Sequence, residues 1–161
     1  MSSRREARER TMQALYAFEV GGGDAVDIIK LLIEDQLKRD KDKETIAFAR
    51  RLFLRSLDMR KEADEIVEQY TRNWELSRIA LIDRIVLRMS ICELLTFEDI
   101  PPKVTMNEAI DIAKRYSTAK SGKFVNGILD SILSDFKRDG KLNKSGRGLV
   151  GMGKDEKEKS A

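Results

Sequence analysis

Histidine is absent from the 161-residue chain, cysteine occurs once, tryptophan once and proline twice. The first absence removes the commonest general base and metal ligand. One cysteine cannot assemble a zinc site of the usual kinds. Cys92 cannot form an internal disulfide either; it lies inside an apolar run and reads as a buried thiol in a reducing cytosol. No apolar run reaches the roughly 18 residues needed to cross a membrane, and the chain does not open on a signal-peptide pattern. No Asp/Glu pair stands out from ordinary helical surface charge. Enzyme is therefore the weaker class, and neither a cofactor nor a metal is expected.

What is present is charge and periodicity. Charged residues make up 37% and hydrophobic residues 41%, a balance that suits one helix-rich domain with a core of ordinary size. The net charge of +3 is unevenly spread: from Lys137 onward eight basic residues face four acidic ones, so the first 136 residues are close to neutral. Any anion-binding site must then be a local cluster. After Gly140 the chain turns glycine-rich and charged without periodicity, so residues 139–161 are expected to form a disordered basic tail behind a domain spanning 1–138.

The rest reads as an all-α bundle of six to seven helices. Ala7, Thr11, Ala14, Leu15 and Phe18 share one face of a first helix. "GGGD" breaks it, with Asp24 as the cap of a second helix running to about Leu37. A charged turn follows, and then a periodic stretch over 45–70 that bends near Asp58–Lys61. "TRNWELS" is a loop with Ser77 as a candidate cap. Residues 78–97 are apolar on nearly every side, which predicts a central, fully surrounded helix. "DIPPK" stops it. Helices are expected from about Thr105 to Tyr116, with Asn107 and Glu108 near its start, and from about Ser121 to Asp135.

Gly122-Lys123 resembles the end of a phosphate-binding loop, but Phe124 stands where a hydroxyl must hold magnesium, and Ser117 replaces the first glycine. A nucleotide site is excluded. Lys120 and Lys123 flanking a helix start still make an anion site, with Ser121 as the simple N-cap alternative. Phe124 is a core residue or a stacking ring. In the first helix, at about 100° per residue, Arg4, Arg8, Arg5 and Tyr16 lie on one arc beside the apolar stripe, with Gln13 just beyond. Guanidiniums, a ring and an amide in that arrangement suit single-stranded RNA. The plainer reading is a solvated basic helix start. Asp83, Arg84, Arg88 and Glu93 interrupt the central helix without an opposite charge at helical spacing. Their partners lie on other helices or on another molecule.

Three segments carry a family resemblance. "RREARERTMQALYAFE", "LIDRIVLRMSICEL" and "IPPKVTMNEAIDIAKRYSTAKSGKFVNGILD" are similar, in order and spacing, to signatures of the bacterial NusB transcription antitermination family. The resemblance covers residues 3–136. It implies an all-helical fold of two packed subdomains without catalysis. It also implies binding of boxA RNA in a heterodimer with NusE, the small-subunit ribosomal protein, within an antitermination complex on RNA polymerase. By motif position Arg4, Arg5, Arg8, Gln13 and Tyr16 would contact RNA, joined by Tyr116, Lys120, Lys123 and Phe124. Asp83, Arg84 and Arg88 would lie on or near the NusE surface. Glu6 within the arginine run and Lys120, where some relatives carry an acid, depart from the pattern. Some relatives self-associate, so a homodimer is a further expectation. Two rival classes stand beside this one: the helical RNA-binding module of a cytosine methyltransferase, which would need an α/β domain on the same chain, and a protein-only interaction scaffold.

Overall fold

The computed structural model describes residues 4–38, 43–71 and 78–152, which contain helices and no strand. The expected all-α class holds. The chain divides into two compact units, Met1–Arg60 and Lys61–Ala161. Most of the loop expected at "TRNWELS", including Ser77, lies outside the described residues.

In the first unit, α1 (Arg4–Gly21) packs along α4 (Lys43–Asp58). Ala7, Thr11 and Ala14 of α1 and Ala49 of α4 are all buried and carry little side-chain bulk, and the Thr11 hydroxyl donates to the Ala49 carbonyl at 3.1 Å. Between them run α2 (Ala25–Ile28), a π-helical stretch Ile29–Glu34 and α3 (Asp35–Leu37), so the second helix forms as expected but widens to a π-helix in the middle. Its Asp24 cap is in place, with Oδ1 accepting from the Val26 N–H at 2.8 Å. Ile29, Ile33 and Leu37, four residues apart, are buried and close the core with Phe48, Leu52 and Phe53.

The second unit is built on α6 (Leu81–Thr96), reached through α5 (Arg60–Tyr70). The bend expected near residue 58 is the break between α4 and α5. From Ile85 to Leu94 every residue of α6 is buried, as an all-round apolar helix requires. Helices α7 (Pro102–Tyr116) and α8 (Ser121–Arg138) pack on it and on each other. α7 starts three residues earlier than the sequence suggested. Pro102 occupies the first helical position, where its missing N–H costs nothing. Asn107 and Glu108, expected near its start, therefore lie past the first turn.

The expected disordered tail needs correction over its first part. Residues 139–152 fold back, burying Leu142, Lys144 and Met152, and include a short 3₁₀ turn, Gly146–Leu149. At Gly148 a Cβ would sit 1.8 Å from the Glu98 carbonyl oxygen, so only glycine permits that approach. Low hydropathy and glycine content concealed a strap whose anchors are few.

Candidate nucleic-acid interface

The residues expected to contact RNA fall on both units, and each set has its own geometry. On α1, Arg5 and Tyr16 are exposed, Tyr16 by 40%, and Gln13 is half-buried with its Oε1 accepting from Arg10 Nη1 at 3.1 Å. Arg4 lies 3.7 Å from Glu44 and holds its guanidinium 4.6 Å from the centre of the Phe48 ring. Arg8 departs from the expected solvent-facing arc. It is 4% exposed, with its guanidinium 5.3 Å from the same ring centre. Arg4 and Arg8 are one helical turn apart, so both reach Phe48, and the aromatic draws the inner one into the helix contact. The outward surface of α1 is thus made by Arg5, Gln13 and Tyr16, with Arg4 at its margin.

In the second unit, Lys120 and Lys123 are exposed at the start of α8, Phe124 is half-buried, and Tyr116 is half-buried at the end of α7. Lys120 rather than Ser121 holds the N-cap position. Ser121 is buried in the first turn, and its hydroxyl accepts from the Thr118 N–H at 3.1 Å and donates to Asp83 Oδ2 at 3.0 Å. The hydroxyls of Ser117 and Thr118 lie 2.9 and 3.0 Å away. Gly122 lies beneath the Lys114 stem, whose carbons would meet a Cβ at 2.8 Å. A cleft of about 210 Å³ opens beside this turn, lined by Arg78, Ile79, Ala80, Asp83, Thr118, Lys120, Ser121 and Phe124.

The three residues expected on a partner surface separate. Arg88 is 7% exposed and makes a bidentate pair with Asp64 of α5, at 2.7 and 2.8 Å, so it ties α6 to α5. Glu93, also buried, accepts from the Thr105 hydroxyl at 3.0 Å. Asp83 lines the cleft with Lys120 and Phe124, and its Oδ1 is buried without a hydrogen-bond partner. Arg84 is half-buried, with its Nε likewise unpartnered. The sequence kept Asp83 apart from Phe124, and it missed Arg78 and Thr118 altogether. Only the folded contact between the starts of α6 and α8 joins them. Among the described residues no group of three or more His, Cys, Asp or Glu side chains is arranged to hold a metal, and no helix is long and apolar enough to cross a membrane.

Comparison with known proteins agrees with this architecture. Residues 5–134 match the family model described as the NusB family. The transcription antitermination protein NusB of Salinibacter ruber is 55% identical over 152 residues, which cover 94% of this chain and 94% of the relative. That of Chloroherpeton thalassium is 43% identical over 150 residues, covering 93% and 70%. Among solved structures, NusB of T. maritima has 39% identity and a TM-score of 0.74, over 83% of this chain and 92% of that one. A chain from a solved complex of antitermination factors NusB and NusE with double-stranded RNA has 26% identity and a TM-score of 0.73, over 82% and 96%. The match runs through both units, and the chain belongs to the NusB family.

Proposed function

We propose that this protein is a transcription antitermination factor. It binds boxA-type single-stranded RNA together with NusE, joins the antitermination complex on RNA polymerase in the cytoplasm, and supports ribosomal RNA transcription without catalysing a reaction. The observation that carries the reading is the outward face of α1. Arg5, Gln13 and Tyr16 offer phosphate, base-edge and stacking contacts on a helix whose opposite side is locked into the core. Lys120, Lys123, Phe124 and Tyr116 supply the same chemistry in the second unit, and relatives named for antitermination support it. Arg8 contributes by holding α1 in place. Arg84, half-buried near the start of α6, and Asp83, which lines the cleft there, are the two of the three left for contact with NusE, whereas Arg88 pairs with Asp64 within the unit.

Binding of a boxA oligonucleotide with and without NusE is the direct test. Tight binding should require NusE, because few cations on a near-neutral body give modest affinity alone. Roughly four to six phosphate contacts predict a slope of log affinity against log salt of about −3 to −4. A slope near zero, or no effect of NusE, would reject the reading. Self-association through the α1 face would mask Arg5 and Tyr16; sedimentation that returns only monomer, or a dimer with full RNA affinity, rules that out.

A further inference from the structure

Helix α8 carries two glycines, Gly122 and Gly127, and neither has a left-handed φ. Glycine inside a helix is disfavoured against alanine, so a reason for it has to come from the surroundings. Gly127 finds none, since a Cβ there would meet nothing within 4 Å. Gly122 differs. A Cβ there would lie 2.8 Å from both Cγ and Cε of Lys114, and 3.3 Å from its Cδ. The Lys114 stem, arriving from α7, therefore passes flat over the bare backbone of the first turn of α8.

That seat fixes where the charge goes. Nζ stands one bond of about 1.5 Å beyond Cε, so the Lys114 ammonium is delivered to the turn that carries Lys120 and Lys123. All three lysines are exposed. Among the described residues none of the three is ion-paired to a carboxylate. Like charges gathered on one turn repel, and a bound polyanion relieves that repulsion. A lysine that grips phosphate also gives up rotamer freedom. One already laid along a helix has given up much of it before the RNA arrives.

We infer that Lys114 is a phosphate-binding residue of the RNA interface and that Gly122 is the positioning residue that presents it. This rests on the RNA-binding reading above and adds to it a cation from α7. Close packing of α7 on α8 would need the lysine stem but not its charge. Lys114→Met separates the two, because it keeps a long apolar stem over Gly122 and removes the ammonium.

The test titrates a boxA oligonucleotide across a range of salt, with NusE present throughout. Lys114→Met should bind several-fold more weakly, with the slope of log affinity against log salt smaller in magnitude by about 0.7. Lys114→Arg should keep the wild-type slope, since a guanidinium also neutralises phosphate. Gly122→Ala should displace Lys114 rather than unfold α8, because alanine suits a helix and a lysine stem can swing aside. Its affinity should fall about three- to tenfold. In the Lys114→Met background the same substitution should change affinity by less than about twofold. Gly127→Ala, with open space around its Cβ, should bind as the wild type does. Wild-type affinity and slope in Lys114→Met overturn the inference. So does an equal loss from Gly122→Ala with and without the lysine, which would make the glycine a packing residue only. If the wild-type protein does not bind boxA even with NusE, the RNA-binding reading fails and this inference with it. Tight wild-type binding that is indifferent to Lys114 removes this inference alone.

Discussion

The Lys144 ammonium lies 2.7 Å from the Phe97 carbonyl and 3.1 Å from that of Glu93, and so caps the C-terminal end of α6 from about fifty residues away. α6 has no basic residue in its own last turn. The two carbonyls each already accept one backbone N–H, from Phe97 to Glu93 at 3.1 Å and from Ile100 to Phe97 at 3.3 Å, and the strap adds a second donor at the negative end of the helix dipole. Glu93, Glu98 and Asp99 surround it and favour its charge, but burial outweighs them and lowers its pKa from the usual 10.5 to about 8.

The direction of the resulting pH dependence is fixed. Between pH of about 8 and 10.5 the unfolded chain keeps a proton on Lys144 that the folded chain has lost. Folded stability from this group is therefore fully present above the unfolded value and is lost as pH falls through about 8. A neutral amine still has two N–H groups for the two carbonyls, so capping survives deprotonation. Wild type should gain about 2 kcal/mol over Lys144→Met between pH 7.5 and 10, after allowance for solvent screening. Urea denaturation of both proteins across that range checks it, and a constant gap would contradict a buried ammonium.

Gly148→Ala should release the strap. Its Cβ would fall 1.8 Å from the Glu98 oxygen, a backbone atom that cannot turn aside. The Ser145 N–H bond to that same oxygen (3.1 Å) and the Asn143 bond to Glu98 Oε1 (2.9 Å) would break with it. We expect faster hydrogen exchange and proteolysis over residues 139–152, with α7 and α8 still protected. Unchanged protection of the strap would refute the close approach.

How legible this molecule was depends on how each feature is encoded. Helix faces repeat every three or four residues, so the stripe of α1 and the all-round burial of α6 could be read in advance. The strap has no period. Its order comes from single events, namely Lys144 on two carbonyls, Leu142 and Met152 in apolar seats, and Gly148 against Glu98. Composition averages such events away. The candidate site was legible by residue type and not by exposure. Wheel geometry placed Arg8 correctly beside the apolar stripe but had no knowledge of Phe48 across from it. The Asp83–Ser121 bond spans 38 positions in sequence and carries no local signature.

Arg88 is expected to matter for stability rather than for partner binding. Removing one side of a buried, bidentate pair leaves the other charge uncompensated, which costs about 3 kcal/mol or more. Asp64 is 21% exposed at its side chain, so Arg88→Met should fall at the lower end of that range. Arg88→Met with Asp64→Leu should recover much of the stability, because a matched apolar pair avoids the desolvation cost. Thermal or urea unfolding of the two single variants and the double variant measures the coupling. A stable Arg88→Met protein that no longer binds NusE would return this residue to a partner surface.

Arg5 and Arg8, three residues apart on α1, should respond in opposite ways to the same substitution. Arg5 is exposed, and Arg5→Ala should weaken RNA binding several-fold while leaving stability within about 0.5 kcal/mol. With one phosphate no longer neutralised, the salt slope should shrink in magnitude by about 0.7. Arg8 is buried against Phe48. Its truncation removes a long aliphatic stem and a desolvated cation–π interaction, and should cost about 1 to 3 kcal/mol of unfolding free energy. Phe48→Leu should remove the part of that cost that belongs to the ring, so the double variant is less destabilised than the sum of the singles. Any drop in RNA affinity in Arg8→Ala should then follow the fraction unfolded and vanish at low temperature. If instead Arg8→Ala folds as stably as wild type and binds RNA weakly with a reduced salt slope, Arg8 reaches phosphate directly, and its seat beside Phe48 is only where it rests before RNA arrives.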